Sequence, residues 1–437
     1  MKKILFILIF SIFLTNSNAT ESVKSISNSP NISQQEILKM IDLSKVKKYK
    51  DRLLIPYREN PNLPTLQYYF QRDLFKVPPF KDFRYFVEPS KNPYEFKFET
   101  IDNKVVKKQL KTKGIYSYLY FEDDKIIIDE ISPKDRLGKL FDNETKFRSN
   151  SMGKSLPSYI LGHAICDGYI DGVDSSISDW RIVKNTLYEN HKLIDLLNMT
   201  SGDQKYVYDS QTLNEKDFSF VFQENGHIDD NNVYKVLFNW FRDKKPSSKK
   251  IYNYNNLNTQ LIFNYILFKT GDDDFQKLLD KVFREKAKIK DIVYFYKLDG
   301  LSKAGNIHNM FYATRYDYLR IAKAIMDDYQ NDTCVGKYLK EIHERRIPKN
   351  INHDGKRGEP HYNRTKSYGG QFHLDYPGLE GKVVFGLGGY GGKAILIDVE
   401  DSRIVVVNTI HYNNDRFKYD HHKLLINPIK YGKESFE

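Results

Sequence analysis

The stretch FRSNSMGKSLPSYILGHAICDGYIDGVD, residues 147–174, places a serine one helical turn before a lysine and follows both with an apolar run. Ser151 would begin a helix, where unpaired backbone N–H groups and the helix dipole favour negative charge. Lys154 would lie on the same helix face. The stretch predicts either a nucleophilic serine with a lysine base or a helix capped by Asn150 or Ser151. The helix itself is predicted by apolar side chains at the spacing of one face, Leu156, Tyr159, Ile160 and Ala164.

The serine–lysine spacing carries little information by itself. It recurs at Ser44/Lys47 and Ser247/Lys250, as expected in a chain with 68 lysines and arginines. Pro157 lies inside the predicted helix, where a proline removes a backbone hydrogen bond and predicts a kink. The lysine could act as a base near neutral pH only if burial or a neighbouring cation lowered its pKa. Further groups are therefore needed to separate a catalytic serine from a capped helix.

The first residues have the composition of an export signal. Two lysines and the apolar segment 4–14 are followed by small residues, which predicts a signal peptide at residues 1–19 with cleavage after Ala19. An uncleaved membrane anchor is the alternative, but the apolar segment is short for a membrane span. We therefore expect a periplasmic or secreted protein with no stable membrane insertion after cleavage.

Charge and histidine spacing exclude several partners. The net charge of +11 at pH 7 comes from lysines interspersed with acids, and no basic block alternates with aromatic residues. A nucleic-acid partner is therefore not predicted. No cofactor is predicted either. The histidines that come closest to a metal-binding pattern lack partners at ligand spacing, so no metal site is predicted at His421, His422, His353 or His361.

Two cysteines, Cys166 and Cys334, are present in the whole chain. This number excludes a framework of disulfides, although one pair is conceivable in an oxidising compartment. Because Cys166 falls in the apolar pattern of the predicted helix, it is interpreted as a small core residue.

Patterns along the chain divide it into an extension and a main domain. Residues 20–110 contain a polar stretch, an amphipathic helix at 34–43 and text rich in proline and aromatic residues at 56–80. We interpret them as an N-terminal extension packed on a main domain at residues 111–437. In that domain, residues 115–131 predict a hairpin that turns at Asp123-Asp124.

The second half of the main domain predicts helices followed by a sheet. Residues 167–350 mix helical patterns with polar loops, and residues 381–411 read as three strands with a glycine-rich and an acidic turn. The strands at both ends of the domain predict one antiparallel sheet with helices packed around it, an α+β fold arranged as an α/β sandwich.

Two later segments offer groups that a serine–lysine pair would need. Tyr254-Asn255-Asn256 directly precedes an apolar helical run at 261–268, and a tyrosine at such a junction could relay a proton. The segment FGLGGYGGK, residues 385–393, carries five glycines, which permit a substrate to approach a strand backbone closely. It could equally be a tight turn. No helix follows it, so it is not a dinucleotide-binding fingerprint.

Four segments in order resemble the serine β-lactamase and penicillin-binding-protein superfamily. Within it, the chain is most similar to class C-type serine hydrolases, which include esterases and 6-aminohexanoate-dimer hydrolases. The resemblance spans residues 114–411 and implies an antiparallel sheet flanked by helices together with an all-helical subdomain. The segments are the nucleophile helix and acidic turn at 147–180, LIDLLNMTSG at 193–202, YNYNNLNTQLI at 252–262 within the Tyr-x-Asn region, and GLGGYGGKAILIDVEDSRIVVV at 386–407.

The resemblance implies a role for each matching residue. Ser151 would be the acylated nucleophile and Lys154 its general base, while Tyr254 would carry the proton to and from the leaving group. Asn256 would orient Lys154 or the substrate amide. The backbone N–H groups of Ser151 and of Gly389 would form the oxyanion hole. Gly388, on the same strand, would contact the substrate.

One departure from the family pattern bears on the substrate. Where penicillin-recognising members carry Lys-Thr-Gly, this chain has Gly386-Leu387-Gly388 and no cation. A carboxylate would lack its usual partner unless Lys393 or a basic loop residue replaced it. We therefore expect hydrolysis of an uncharged ester or small amide.

Two alternatives stay open from the sequence. One is a penicillin-binding enzyme, a β-lactamase or D-Ala-D-Ala carboxypeptidase, and the other is a non-catalytic envelope-binding protein with the same fold. The acyl group, the leaving group and the oligomeric state leave no signal in the sequence. Nor does any pattern place other candidate pocket residues in the site, among them Tyr206, Tyr208, His308 and His373.

Overall fold

The computed structural model of the chain describes residues 47–49, 52–54, 84–138, 141–206, 233–297, 307–349, 365–410 and 418–436. The predicted signal peptide at 1–19, the amphipathic helix at 34–43 and the aromatic-rich text at 56–80 lie outside the described residues. Within the described part of the chain, no helix combines the length and apolar character needed to cross a membrane.

The described strands form three sheets. In chain order the strands are β1 (Lys47–Tyr49), β2 (Arg52–Leu54), β3 (Arg84–Val87), β4 (Lys97–Phe98), β5 (Ile115–Glu122), β6 (Lys125–Ile131), β7 (Phe147–Arg148), β8 (Val293–Lys297), β9 (Ile307–Ala313), β10 (Ile347–Pro348), β11 (Ser367–Gly369), β12 (Phe372–Leu374), β13 (Val384–Gly389), β14 (Lys393–Asp398) and β15 (Arg403–Thr409). Nine of these strands make the largest sheet, in the order β10-β11-β12-β13-β14-β15-β5-β6-β4. Four make a second sheet in the order β3-β8-β9-β7, and β1 pairs with β2.

Both predicted strand groups are confirmed. Strands β5 and β6 pair as an antiparallel hairpin, and their turn residues Asp123 and Asp124 have φ values of 48° and 60°. Two consecutive residues with positive φ give the turn twist that matches a two-residue hairpin. Strands β13, β14 and β15 form the antiparallel meander predicted for residues 381–411.

Helices cover both faces of the large sheet, which confirms the α+β sandwich. The α-helices are α1 (Lys104–Thr112), α2 (Ser155–Cys166), α3 (Leu193–Leu197), α4 (Val233–Val236), α5 (Leu257–Thr270), α6 (Asp272–Leu279), α7 (Arg315–Gln330), α8 (Cys334–Glu344) and α9 (Asn427–Tyr431). Helices α2, α5, α7 and α8 share one apolar core with the sheet, whereas the C-terminal helix α9 packs on the opposite face.

The central strand β5 is buried on both of its faces. Leu119 and Phe121 belong to the core shared with α2 and α7, whereas Tyr118 and Tyr120 face the C-terminal segment. Tyr118 Oη donates a hydrogen bond to the carbonyl oxygen of Leu424 at 2.8 Å. Because successive side chains point to opposite faces and both faces are covered, every position of the strand is buried.

The structure adds two features to the predicted antiparallel sheet. Strand β4 pairs parallel with β6, and a separate four-stranded sheet contains β8 and β9. Both β8 and β9 come from residues 167–350, where helices and loops were predicted. Strand β8 finds its partner β3 some two hundred residues away, so local periodicity does not reveal the pairing.

Residues on both sides of position 110 take part in these sheets and helices. Strand β3 pairs with β8, and β4 pairs with β6. Helix α1 runs from Lys104 to Thr112 and therefore crosses the boundary placed at residue 110. The division into an extension at 20–110 and a main domain stays a prediction.

Cys166 is not simply a small core residue, because the pairing that the sequence left open occurs in the structure. Cys166 forms a disulfide with Cys334, with their Cα atoms 5.9 Å apart. Cys166 ends α2 and Cys334 begins α8, so the bond joins the termini of two neighbouring helices. The sequence placed Cys166 correctly on an apolar helix, but the packing of α2 against α8, which brings the sulfur atoms together, is not visible in local periodicity.

Candidate active site

A turn of 3-10 helix, Asn150–Lys154, connects β7 to α2 and is called the nucleophile turn below. Asn150 has a φ of 50°, a conformation that asparagine tolerates better than most residues, and its Nδ2 donates to the carbonyl oxygen of Tyr390 at 3.1 Å. Ser149 Oγ accepts a hydrogen bond from the backbone N–H of Phe311 at 3.0 Å. These bonds hold Ser151, which is partly exposed, at the start of the turn.

The capped-helix alternative does not describe this turn. The residue that precedes it, Ser149, makes no capping hydrogen bond with its side chain, and neither does Lys154, which precedes α2. Asn150 directs its carboxamide to Tyr390 of the glycine-rich segment instead. Ser151 and Asn150 are therefore not helix caps, and the polar start of the helix serves a different purpose.

Lys154 lies beside Ser151 in a buried environment. Its Nζ is 3.5 Å from Ser151 Oγ and also donates a hydrogen bond to Asn256 Oδ1. Only 2% of the Lys154 side chain is exposed, and this burial lowers its pKa from 10.5 to about 7. A substantial fraction of Lys154 is then neutral near pH 7 and can accept the proton of a serine hydroxyl.

Tyr254 and Asn256 approach Lys154 from the loop before α5. Asn256 occupies the N-cap position of α5 but makes no capping hydrogen bond, because its side-chain oxygen accepts from Lys154. The Nζ of Lys154 lies 5.2 Å from the centroid of the Tyr254 ring. The structure thus brings Ser151, Lys154, Tyr254 and Asn256 together, as the sequence predicted, while the role of each stays a proposal.

Asp203 holds this loop and was missed by the sequence analysis. Its carboxylate accepts hydrogen bonds from Asn253 Nδ2 at 2.7 Å, Asn255 Nδ2 at 3.1 Å and Tyr188 Oη at 2.8 Å. Asp203 is fully buried, and burial raises the pKa of its carboxyl above the ordinary value. Because Asn253 and Asn255 alternate with Tyr254 along the loop, anchoring the asparagines fixes the tyrosine between them. The one available signal was the position of Asp203, directly after the segment LIDLLNMTSG.

Strand β13 brings Gly389 against the nucleophile turn. A Cβ atom at Gly389 would lie 2.7 Å from the carbonyl oxygen of Ser149 and 3.1 Å from Met152 Cγ, so only glycine fits at this distance. The neighbouring strand β12 pairs with β13 at the single position His373–Gly386. The backbone of β13 thus passes beside the nucleophile turn with Gly389 at the contact. Gly388 lies one residue earlier, opposite Ala394 of β14.

At Gly386, the strand position that lacks a cation, the hydroxyl of Tyr376 occupies the space that a side chain would need. A Cβ atom at Gly386 would lie only 1.8 Å from the hydroxyl oxygen of Tyr376. A lysine at this position would collide with that hydroxyl. Lys393, which the sequence offered as a replacement, lies on β14 opposite Gly389 and is 2% exposed.

A glutamine in the turn between β11 and β12 joins three helices beneath the site. Gln371 Nε2 donates to the carbonyl oxygens of Leu196 at 2.9 Å and Leu197 at 3.2 Å, in α3. Its Oε1 accepts from Thr259 of α5 at 2.7 Å, and its carbonyl oxygen accepts from Ser155 of α2 at 2.7 Å. Gln371 is 1% exposed, and no sequence pattern singled it out.

Comparison with known proteins identifies the fold. No protein-family model and no curated protein matches the sequence. Among solved structures, a protein from Bacillus anthracis assigned as a 6-aminohexanoate-dimer hydrolase is 12% identical, with a TM-score of 0.60 over 85% of this chain and 96% of that one. A D-stereospecific amidohydrolase from Streptomyces is 15% identical, with a TM-score of 0.50 over 76% of this chain and 100% of that one.

These likenesses define the class of fold to which the chain belongs. The chain shares the fold of these two hydrolases, as the resemblance drawn from the four sequence segments implied. Within that fold, the nucleophile turn, the loop before α5 and the glycine-rich strand β13 surround Ser151. Because identity is so low, the activity has to be argued from the residues of this chain.

Proposed function

We propose that this chain is an exported serine hydrolase that cleaves an ester or a small amide through an acyl-enzyme. The observation that carries the proposal is the buried contact between Lys154 and Ser151, 3.5 Å from Nζ to Oγ. Burying an ammonium group costs free energy, so a buried lysine indicates that its neutral form has a role. A serine hydroxyl within reach supplies that role.

The first step is attack on the substrate carbonyl. Lys154 removes the proton from Ser151 Oγ, and the oxygen forms a bond to the carbonyl carbon. The negative charge that develops on the carbonyl oxygen is stabilised by the backbone N–H groups of Ser151 and Gly389. Each such donor contributes on the order of a few kcal/mol to the transition state.

The second step releases the leaving group and then the acid. Tyr254 passes the proton to the departing oxygen or nitrogen as its bond to the acyl carbon breaks. Water then attacks the acyl-enzyme and gives its proton back through the same groups. Asn256 accepts a hydrogen bond from Lys154 throughout and keeps its Nζ directed at Ser151.

We expect the part of the substrate that binds beside Gly386 to be uncharged. The Tyr376 hydroxyl occupies the space beside Gly386, so that position offers no charged partner for a substrate carboxylate. Two structures with the same fold are named as a 6-aminohexanoate-dimer hydrolase, from Bacillus anthracis, and a D-stereospecific amidohydrolase, from Streptomyces, which supports a small amide as well as an ester.

Two observations support export. Residues 1–19 have the charge and apolar pattern of a cleavable signal peptide. The disulfide between Cys166 and Cys334 is typical of proteins that fold in an oxidising compartment. A periplasmic or secreted protein meets both conditions.

Labelling with a fluorophosphonate probe tests the proposal. We expect the native protein to be labelled and the Ser151→Ala variant not to be. Ser247→Ala is the matched control, because Ser247 and Lys250 have the same spacing but Lys250 is exposed and paired with Asp195. Equal labelling of native protein and Ser151→Ala, or no labelling of either, would show that Ser151 is not the nucleophile. The second result is the one expected of a non-catalytic binding protein.

Nitrocefin and labelled penicillin separate the proposed hydrolase from a penicillin-binding enzyme. We expect neither rapid turnover of nitrocefin nor stable acylation by penicillin, since Gly386 provides no cation for the β-lactam carboxylate. Stable acylation at Ser151, or rapid turnover that Ser151→Ala abolishes, would favour the penicillin-binding alternative.

A further inference from the structure

Another buried lysine lies near the site, on an element with no assigned role. Lys349 directly follows β10 and is 5% exposed. Its Nζ donates to Thr365 Oγ1 and lies 3.0 Å from His373 Nδ1. His373 is 2% exposed and Thr365 is fully buried. A buried lysine held by two polar side chains needs a structural or functional reason.

The partner of this lysine packs against Tyr254. The His373 ring lies 6.1 Å from the Tyr254 ring, tilted by 31°, and Tyr368 meets both rings edge-on. Lys349 Nζ also lies 5.8 Å from the centroid of Tyr252, which contacts Tyr368. Tyr254 is therefore enclosed by a layer of rings with Lys349 behind it.

Lys349 fixes the form of the histidine. Burial, followed by the nearby charges of Lys349 and Lys154, holds the pKa of His373 well below its ordinary value, so the imidazole is neutral. A neutral imidazole carries one N–H and one acceptor nitrogen. A lysine ammonium group has only N–H donors, so Nδ1 accepts from Lys349 and the hydrogen is assigned to Nε2, which sets the tautomer and the ring orientation.

We propose that Lys349 is a positioning residue for Tyr254, acting through His373. The bond from Lys349 fixes the imidazole ring, and the imidazole with Tyr368 fixes the phenol that donates a proton to the leaving group. This inference rests on the proposed function, because it assigns Tyr254 a moving proton. It goes beyond that function by adding a cationic residue, Lys349, to the groups that position Tyr254, whereas the strand position at Gly386 supplies no cation.

The chemical consequence depends on the leaving group. When an ester bond breaks, the departing oxygen takes the bonding electrons and, if it is strongly basic, also needs the proton of Tyr254. An ethoxide needs that proton, whereas a nitrophenolate departs as a stable anion. A displaced Tyr254 therefore slows cleavage of an alkyl ester and leaves cleavage of a nitrophenyl ester nearly unchanged.

The test compares kcat/KM for ethyl butyrate and p-nitrophenyl butyrate, which share one acyl group. For Lys349→Met we expect a loss of roughly tenfold or more with the ethyl ester, because misplacing a catalytic group is costly. We expect a loss below about threefold with the nitrophenyl ester, where no proton is required. Tyr254→Phe should show the same selective pattern more strongly. Lys366→Met is the matched control and should change neither value. The carbonyl oxygen of Lys366 accepts a hydrogen bond from the backbone N–H of Lys349, but its side chain is exposed and paired with Glu380.

The outcomes separate this inference from the proposed function. If Ser151 is labelled by the fluorophosphonate but Lys349→Met loses activity equally on both esters, the positioning role is wrong and the hydrolase proposal stands. If the native protein is not labelled, the hydrolase proposal itself fails. Should Lys349→Met not fold by circular dichroism, His373→Phe carries the test, since it keeps a ring and removes the acceptor. Selective loss with that variant supports the role, and equal loss on both esters overturns it.

Discussion

Lys154 occupies a position that is unfavourable for its charge. Burial lowers the pKa of its ammonium from 10.5 to about 7. Below that pH the folded protein holds a desolvated charge that the unfolded chain would leave in water, so the charged form costs stability. The base of the proposed reaction is therefore placed at the expense of the fold, a relation common at catalytic sites.

Replacing Lys154 with methionine should abolish hydrolysis and stabilise the protein. The folded pKa lies below the unfolded one, so the unfolded chain binds more protons between pH 7 and 10.5 and stability rises with pH across that window. The destabilisation caused by Lys154 is complete below about pH 7 and disappears towards pH 10.5. We expect the gain in unfolding free energy for Lys154→Met, from urea titrations, to shrink accordingly. A variant that is less stable than the native protein at pH 6 would contradict this.

The same pKa predicts how activity depends on pH. Hydrolysis requires neutral Lys154, so kcat/KM should fall by about tenfold for each unit below about pH 7 and level off above it. The measurement is kcat/KM for p-nitrophenyl butyrate from pH 5 to 9, with the fold checked by circular dichroism at each end. A profile that stays flat down to pH 5 would remove Lys154 as the base.

Residues of the site differ in how far the sequence reveals them. Ser151 and Lys154 are separated by one helical turn, so their contact follows from local spacing. Asp203 acts through Asn253 and Asn255, which are about fifty residues away and give no periodic signal. His373 reaches Tyr254 only through the pairing of strands from the far end of the chain.

The nucleophile turn resolves the difficulty that Pro157 posed. The sequence predicted a kink, because a proline inside a helix removes a hydrogen bond. In the structure Asn150–Lys154 forms a 3-10 turn and α2 begins only at Ser155, so Pro157 is the third residue of the α-helix. The first four N–H groups of an α-helix have no partner within it, and a proline there costs nothing. Periodicity located the helix but not the change in helix type at its start.

Contact between the nucleophile turn and β13 should be sensitive to a single methyl group. A Cβ atom at Gly389 would lie 2.7 Å from the carbonyl oxygen of Ser149, so Gly389→Ala must push the turn and the strand apart. We expect kcat/KM for p-nitrophenyl butyrate to fall by about 100-fold while the protein remains folded, because the oxyanion donors separate. Gly172→Ala is the control, since a Cβ atom there meets nothing within 4 Å. Full activity of Gly389→Ala would show that β13 does not form part of the oxyanion hole.

At the scale of the whole molecule, five strands of the large sheet were predictable, whereas its short strands and the smaller sheets were not. Strands β5, β6, β13, β14 and β15 are long and separated by turns with clear signals, such as Asp123-Asp124. Strand β7 has two residues and β3 has four, and their partners lie far along the chain. Strands of that length are specified by tertiary packing more than by their own residues.

The disulfide should contribute to stability without contributing to chemistry. Cys166 and Cys334 are 168 residues apart, so the bond restricts a long loop in the unfolded chain. We expect the double variant Cys166→Ser/Cys334→Ser to lose about 2–4 kcal/mol of unfolding free energy in urea titrations. Its kcat/KM at 25 °C should match the native value, because the bond lies at the far end of α2 from Ser151. A large loss of activity in a variant that remains folded would contradict that separation.

The glutamine beneath the site has a consequence for how the site unfolds. Gln371 connects the start of α2, the end of α3 and the first turn of α5, and these segments carry Ser151, Asp203 and Tyr254 or lead directly to them. Hydrogen bonds to one buried residue thus hold the three segments together. Heating should therefore separate the three segments in one cooperative transition and not one at a time.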